Sequence, residues 1–229
     1  MERIIFGLDN TLISNVNFSK YVAEAFDLIN MPYTEETLKS IQQAIHYYEV
    51  ETSKYDKNLM LDYFRRYTNL DLGMSFLDNF MCRLEYALPE REDEGVRETL
   101  DYLRGKYELC VLTNWFRSSQ SMRLVNAGID EYFTEVYGGE EYKKPDKNAY
   151  LMACGNTKAS DTLMVGDSYE YDFLGAKNAG LNALLLDKNN RFSSLNPTER
   201  INEIKMLKKV LWEVKQHEVL WRFSISWSY

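Results

Sequence analysis

Ile4-Ile5-Phe6-Gly7-Leu8-Asp9-Asn10-Thr11-Leu12 is the stretch that decides the fold. Residues 3 to 8 form an apolar run closed by the turn signal Asp9-Asn10, too short for a buried helix and the right length for a buried strand. Such a strand carries the Asp9 carboxylate to its C-terminal end. Gly7, two positions earlier, suits the end of a strand, because glycine tolerates unusual backbone angles and lets a ligand approach the main chain closely.

Outward from this strand the rhythm changes twice. From about residue 14 to residue 90 the chain has helical periods rich in Tyr, Phe, Leu and Met, with no convincing strand. Asn30-Met31-Pro32 breaks the first helix, Thr34 suits the N-cap of the second, and Gly73 separates the third from the fourth. After Pro89 and the charged run Glu90 to Glu94, helices and strands alternate. Helices are expected near 94–106, 117–127, 146–154 and 171–179, with strands Leu109 to Leu112, Glu135 to Tyr137, Leu163 to Gly166 and Ala183 to Leu186. That alternation predicts a parallel sheet covered on both faces, with ligands gathering outside the carboxyl ends of the strands.

The expected organisation is a core from residues 1–13 and 91–196, a helical insertion over 14–90, and a C-terminal helix and tail over 197–229. The helix expected over 198–216 carries Ile201, Ile204, Leu207, Leu211 and Val214 at spacings suited to packing on the sheet. In the tail, Val219, Trp221, Phe223, Ile225, Trp227 and Tyr229 alternate with other residues, the period of a strand that adds to a sheet edge or meets another subunit. This segment is a candidate for self-association.

The chain has 229 residues, of which 45% are hydrophobic and 27% charged, enough for one good core and a smaller accessory unit. A formal charge of −8 and no basic run argue against nucleic acid as a partner, while a local cation such as Lys144 still permits an anionic small substrate. Cys82, Cys110 and Cys154 lie far apart without a CxxC pattern, which fits reduced thiols. No signal-peptide pattern and no apolar run of about 20 residues is visible, so the expectation is a soluble, cytoplasmic protein without a membrane partner.

The strand-loop pattern places one set of polar residues along a single sheet edge: Asp9 and Thr11, then Thr113 and Asn114, then Lys143 and Lys144 in Tyr142-Lys143-Lys144-Pro145-Asp146, then Gly166-Asp167-Ser168 with Asp172. Acids for a divalent cation, a fixed cation for an anion and small polar donors suit phosphoryl transfer, which depends on positioning and charge neutralisation. His46 and His217 have no paired ligand spacing and read as surface or packing residues. Trp115-Phe116 suits either a cavity wall or core packing.

In order and position these motifs resemble those of the haloacid dehalogenase superfamily. Asp9, Thr11 and Leu12 match its first motif, Thr113-Asn114 its second, Lys144-Pro145 its third, and Gly166-Asp167-Ser168 with Asp172 its fourth. The resemblance covers residues 3 to 186. It implies a three-layer, Rossmann-like parallel sheet with an inserted all-helical cap, and a Mg²⁺-dependent phosphomonoesterase acting on a small phosphorylated metabolite through an aspartyl-phosphate. It further implies that Asp9 is the acid/base, that Thr113, Asn114 and Lys144 hold the phosphoryl group, and that Mg²⁺ is held by Asp167, the backbone carbonyl of Asp9 and Asp172, the last supporting either the metal or Lys144. Gly7 departs from the family's pattern, which has the nucleophilic Asp there. Asp9 is the nearest carboxylate that could attack in its place, a reading disfavoured because two residues along a strand is a displacement of about 6 to 7 Å. The resemblance therefore implies an impaired enzyme with weakened Mg²⁺ binding, or a non-catalytic protein that keeps the phosphate pocket for binding or regulation.

Overall fold

A computed structural model describes residues 1–14, 17–86, 94–214 and 216. The opening strand is β1 (Arg3–Phe6), buried on both faces. Gly7 lies just beyond it, its N–H bonded to the Val165 carbonyl at 2.9 Å. Four helices follow: α1 (Phe18–Leu28), α2 (Glu35–Glu51), α3 (Lys57–Thr68) and α4 (Met74–Glu85). Thr34 caps α2 as expected, accepting the Thr37 N–H, and Gly73 is the N-cap of α4.

The remainder alternates: α5 (Val96–Leu103), β2 (Glu108–Leu112), α6 (Arg117–Ala127), β3 (Glu135–Tyr137), α7 (Lys147–Cys154), β4 (Thr162–Gly166), α8 (Gly175–Asn178), β5 (Asn182–Leu186) and β6 (Arg200–Ile201). The sheet has six strands in the order β3-β2-β1-β4-β5-β6, and every pairing is parallel. Its strands thus all end on one edge, with β1 between β2 and β4.

Successive strand residues point to opposite faces, and the core divides accordingly. Ile4, Phe6, Val111 and Val165 pack with Leu100, Leu124, Leu207 and Leu211 on one face, whereas Ile5, Cys110, Leu112 and Met164 pack with Ala149, Tyr150 and Ala176 on the other. A third cluster fills the helical insertion, including Phe26, Tyr48, Phe64, Phe76 and Phe80. Trp115 and Phe116, which follow β2, join that third cluster and so tie the insertion to the sheet edge.

Several expected boundaries move. The first strand stops at Phe6, and Leu8 instead starts a tight turn in which its carbonyl accepts the N–H groups of Thr11 and Leu12. Gly7 does not adopt a left-handed backbone, so backbone angle does not account for the glycine. The helix expected over 171–179 begins as a wider π-type turn, Tyr169–Leu174, before α8. Over 198–216 a continuous helix does not form: Pro197–Glu199 is a 3₁₀ turn, Arg200 and Ile201 form β6, Ile204–Met206 is a second 3₁₀ turn, and among the described residues regular helix begins only at residue 207. The Asp187 N–H bonds the Ile201 carbonyl at 2.7 Å, recruiting this segment as the last strand. Ile201, Ile204, Leu207 and Leu211 are nevertheless buried, while Val214 is exposed.

Cys82 is exposed, and Cys110 and Cys154 are buried free thiols. No described helix is long and apolar enough to cross a membrane. The boundary at residues 90 and 91 and the alternating aromatic tail lie outside the described residues.

Candidate active site

The parallel topology brings the polar loops together around Gly7. After β4, Asp172 is buried and its carboxylate pairs with Lys144 Nζ at 2.6 Å, while its other oxygen accepts the Ser168 N–H at 3.0 Å. Gly166 permits this approach: a Cβ there would lie 2.2 Å from Asp172 Oδ2. After β2, the Asn114 side chain donates to the Lys144 carbonyl at 2.7 Å and accepts the Lys144 N–H at 2.8 Å. The Lys144-Pro145 peptide is cis. Asn114, expected on the phosphoryl group, is thus a clamp on the lysine backbone, and Asp172 is engaged with the lysine ammonium.

The Asp9 carboxylate turns toward α6. Arg123 Nη1 lies 2.7 Å from Asp9 Oδ1, and Gln120 Nε2 donates to Asp9 Oδ2 at 3.0 Å and to Thr113 Oγ1 at 2.9 Å. Arg123 also donates to Gln120 Oε1 at 2.8 Å and to the Ser14 carbonyl at 2.9 Å. These two α6 side chains join the first and second motif loops. Sequence reading missed both. The usable signal was a glutamine and an arginine three residues apart on the α6 face that also carries buried Leu124.

Thr11 Oγ1 donates to Asp167 Oδ1 at 3.4 Å. Burial pushes the Asp167 carboxyl up to about 6; the neighbouring Asp172 adds to the rise and Lys144 opposes it. A Cβ on Gly7 would stand 3.1 Å from Thr11 Oγ1 and 3.3 Å from Asp172 Oδ2. Any side chain at position 7 would therefore enter the same polar cluster.

A cavity of about 160 Å³ opens beside these groups, lined by Asp9, Asn114, Trp115, Gln120 and Arg123 from the sheet side and by Phe18 and Glu49 from the insertion. Glu49, also unforeseen, is delivered by α2 and accepts the Tyr55 hydroxyl at 3.0 Å. Burial raises its carboxyl above the ordinary range, with Tyr55, Lys143 and His46 acting in the opposite direction. Lys143 Nζ donates to the Glu49 main-chain carbonyl, and burial lowers the Lys143 ammonium's pKa. Trp115 fulfils both readings: it lines the cavity, and its ring packs 5.2 Å from Phe18 and 5.5 Å from Tyr55. His46 is exposed beside the Tyr47 ring, and His217 lies outside the described residues.

Among the described residues no three His, Cys, Asp or Glu side chains are arranged to hold a metal. Asp9 and Asp172 are committed to Arg123 and Lys144, which leaves Asp167 as the acidic side chain free of a cationic contact within ion-pair distance among those expected to hold the ion. A magnesium ion needs oxygen donors and usually keeps several waters. The set therefore fits magnesium only through one side chain, with the remaining donors supplied by backbone, water or a phosphorylated ligand.

A family model of haloacid dehalogenase-like hydrolases matches residues 1–180. The chain belongs to that family. Among curated relatives, the pyrimidine 5'-nucleotidase YjjG of Escherichia coli is 33% identical over 140 residues, covering 58% of this chain and 60% of that protein. The glyceraldehyde 3-phosphate phosphatase of Methanothermobacter thermautotrophicus is 27% identical over 236 residues, covering 92% of this chain and all of that protein. The magnesium-bound crystal structure of YfnB from Bacillus subtilis superimposes with a TM-score of 0.68 at 21% identity, over 92% of this chain and 98% of that one. The likeness to YfnB concerns the fold, and its parallel α/β core agrees with the sheet described above. This haloacid dehalogenase-like chain is phosphatase-like by its relatives, as its motifs implied.

Proposed function

We propose that this haloacid dehalogenase-like protein binds a small phosphorylated metabolite at the Gly7 edge of the sheet, with phosphomonoesterase chemistry impaired by the missing nucleophile. One observation supports this most: the Lys144-Asp172 pair and its Asn114 clamp are fully assembled around a position that carries no side chain. A buried lysine held at two points is a preorganised charge for phosphoryl oxygens, and the Thr113 hydroxyl stands on the same edge.

Magnesium, when bound through Asp167 and the Asp9 carbonyl, would neutralise phosphoryl charge. Without a carboxylate at position 7 its affinity falls. Lys144 neutralises the anion, Asn114 keeps that lysine in register, and Arg123 with Gln120 fixes Asp9. No group stands at Gly7 to attack phosphorus. The engagement of Asp9 with Arg123 at 2.7 Å favours a second reading, a binding or regulatory protein that does not turn over its ligand.

The test is hydrolysis of an aryl phosphate with Mg²⁺ by this chain and by Gly7→Asp. The unmodified chain is expected to fall on the order of 10⁶-fold below an intact enzyme, the scale of losing a nucleophile. Gly7→Asp is expected to restore turnover; if it yields none while still binding phosphate, the non-catalytic reading stands. Ordinary phosphatase rates from the unmodified chain would overturn both.

A further inference from the structure

The two walls of the cavity differ in charge. The sheet side supplies Arg123, paired with Asp9, together with neutral Asn114 and Gln120 and the ring of Trp115, while Lys144, paired with Asp172, lines a second opening that Glu49 also borders. The facing wall, built by the helical insertion, supplies Glu49, Leu84 and the ring of Phe18. Glu49 also borders two neighbouring openings, one lined by Thr52, Lys143, Pro145 and Tyr171, the other by Asn17, Gln42 and His46. It lines all three.

The cation closest to hand favours this carboxylate from a distance but makes no direct ion pair with it. Lys143 Nζ donates to the main-chain carbonyl of Glu49, and the hydrogen bond to the carboxylate comes from a neutral phenol, Tyr55, whose ring packs against Trp115 and Phe116. A carboxylate can accept about four hydrogen bonds. A ligand seated with its phosphoryl group at Lys144 turns its other end toward an acid that favours hydrogen-bond donors and opposes negative charge.

Resting on the phosphoryl-binding reading above, we propose that Glu49 is the specificity-determining residue of this site. It selects phosphomonoesters whose alcohol portion bears hydroxyl or amine donors, and it rejects those bearing a carboxylate or a second phosphate. The aromatic wall of Phe18 and Trp115 holds the carbon skeleton of that portion.

The experiment measures binding on the unmodified chain, whose lack of a position-7 nucleophile keeps the ligands intact during titration. Inorganic phosphate, glycerol 1-phosphate, phosphoethanolamine and phosphoglycolate are titrated calorimetrically in Mg²⁺ against this chain, Glu49→Gln and Glu49→Asp. Glycerol 1-phosphate and phosphoethanolamine are expected to bind about tenfold tighter than phosphoglycolate, the scale of one charge-assisted hydrogen bond. Glu49→Gln is expected to bring phosphoglycolate to within about twofold of glycerol 1-phosphate and to weaken phosphoethanolamine most, while inorganic phosphate, which does not reach Glu49, changes by less than about twofold. Glu49→Asp keeps the charge and is expected to keep the order of ligands. A larger benefit for phosphoethanolamine than for glycerol 1-phosphate identifies an amine as the preferred donor, and the reverse identifies a hydroxyl. Equal binding of phosphoglycolate and glycerol 1-phosphate to the unmodified chain overturns the proposal, as does a uniform shift of all four ligands in Glu49→Gln. If no phosphate compound binds any of the three chains, the phosphoryl-binding reading itself has failed.

Discussion

Arg123 is the side chain on which the geometry of Asp9 depends. Its guanidinium is 3% exposed, pairs with Asp9 and donates to Gln120 Oε1 and the Ser14 carbonyl, so removing it leaves the Asp9 carboxylate without its cation and two acceptors without their donor. Arg123→Ala is expected to destabilise the fold by about 3 kcal/mol, toward the low end for a broken buried pair because water reaches part of Asp9. Chemical denaturation measures it, and a loss below about 1 kcal/mol would show that Asp9 needs no such partner. Asp167 gives a prediction in pH. Its folded pKa of about 6 lies above the ordinary 3.8, so its stabilising contribution is complete below about pH 3.8 and is lost as pH rises through 6. In chelator, the melting temperature of the unmodified chain is expected to fall between pH 4 and 6 more than that of Asp167→Asn. Addition of Mg²⁺ is expected to recover stability at pH 7.5 and much less at pH 5, where protons compete for the same carboxylate. Parallel curves for the two chains would remove Asp167 from this account.

At the scale of elements, the loop between α2 and α3 is the join between the insertion and the sheet edge. The Tyr55 N–H bonds the Gly139 carbonyl at 2.8 Å, and the Tyr55 ring lies so close that a Cβ on Gly139 would sit 2.3 Å from it. Gly139→Ala is therefore expected to dislodge Tyr55, and with it Glu49, costing about 1–3 kcal/mol as an overpacked contact. Faster amide exchange confined to residues around 52–56 and 138–144 would report it; exchange unchanged there would show that the ring moves aside freely. This join also marks what the sequence could not reveal. Parallel strands and the loops after them were legible because four apolar runs end in Asp, Thr or Gly residues, and each such loop lands on one edge once the strands are parallel. Glu49, Gln120 and Arg123 sit on helices, where a polar residue reads as a solvated face until the neighbouring element is known. Residues 198–206 misled for a related reason: Ile201, Ile204 and Leu207 have helical spacing, yet a pairing with β5 took Ile201 into the sheet. The fold, set by local periodicity and strand-loop punctuation, was readable; the site's supporting residues depend on long-range packing and were not.

The whole molecule has two hydrophobic masses, the sheet with its covering helices and the aromatic interior of the insertion. Trp115 and Phe116 leave the sheet edge to join the second mass, and Tyr55 packs on both rings at 5.5 Å. Lys143 adds a bond to Glu49 and sits 5.6 Å from the Tyr55 ring. The candidate-site cavity lies at this seam, so the contacts that unite the molecule are also those that place Glu49 on the same cavity as Arg123. Two masses joined this way unfold together only while the seam is worth more than their difference in stability. Tyr55→Ala removes the ring that packs on Trp115, Phe116 and Lys143, a loss of about 3–5 kcal/mol for a large buried aromatic. The unmodified chain is expected to melt in one transition, with calorimetric and van't Hoff enthalpies in agreement. Tyr55→Ala is expected to split it into two, the van't Hoff enthalpy dropping below the calorimetric value. A phosphorylated ligand that touches both walls is expected to merge the transitions again, because it binds only when the two masses are docked. If Tyr55→Ala melts in one sharp step at a lower temperature, the seam is not the weak point, and the cavity is a rigid pocket rather than a junction between two cooperative units.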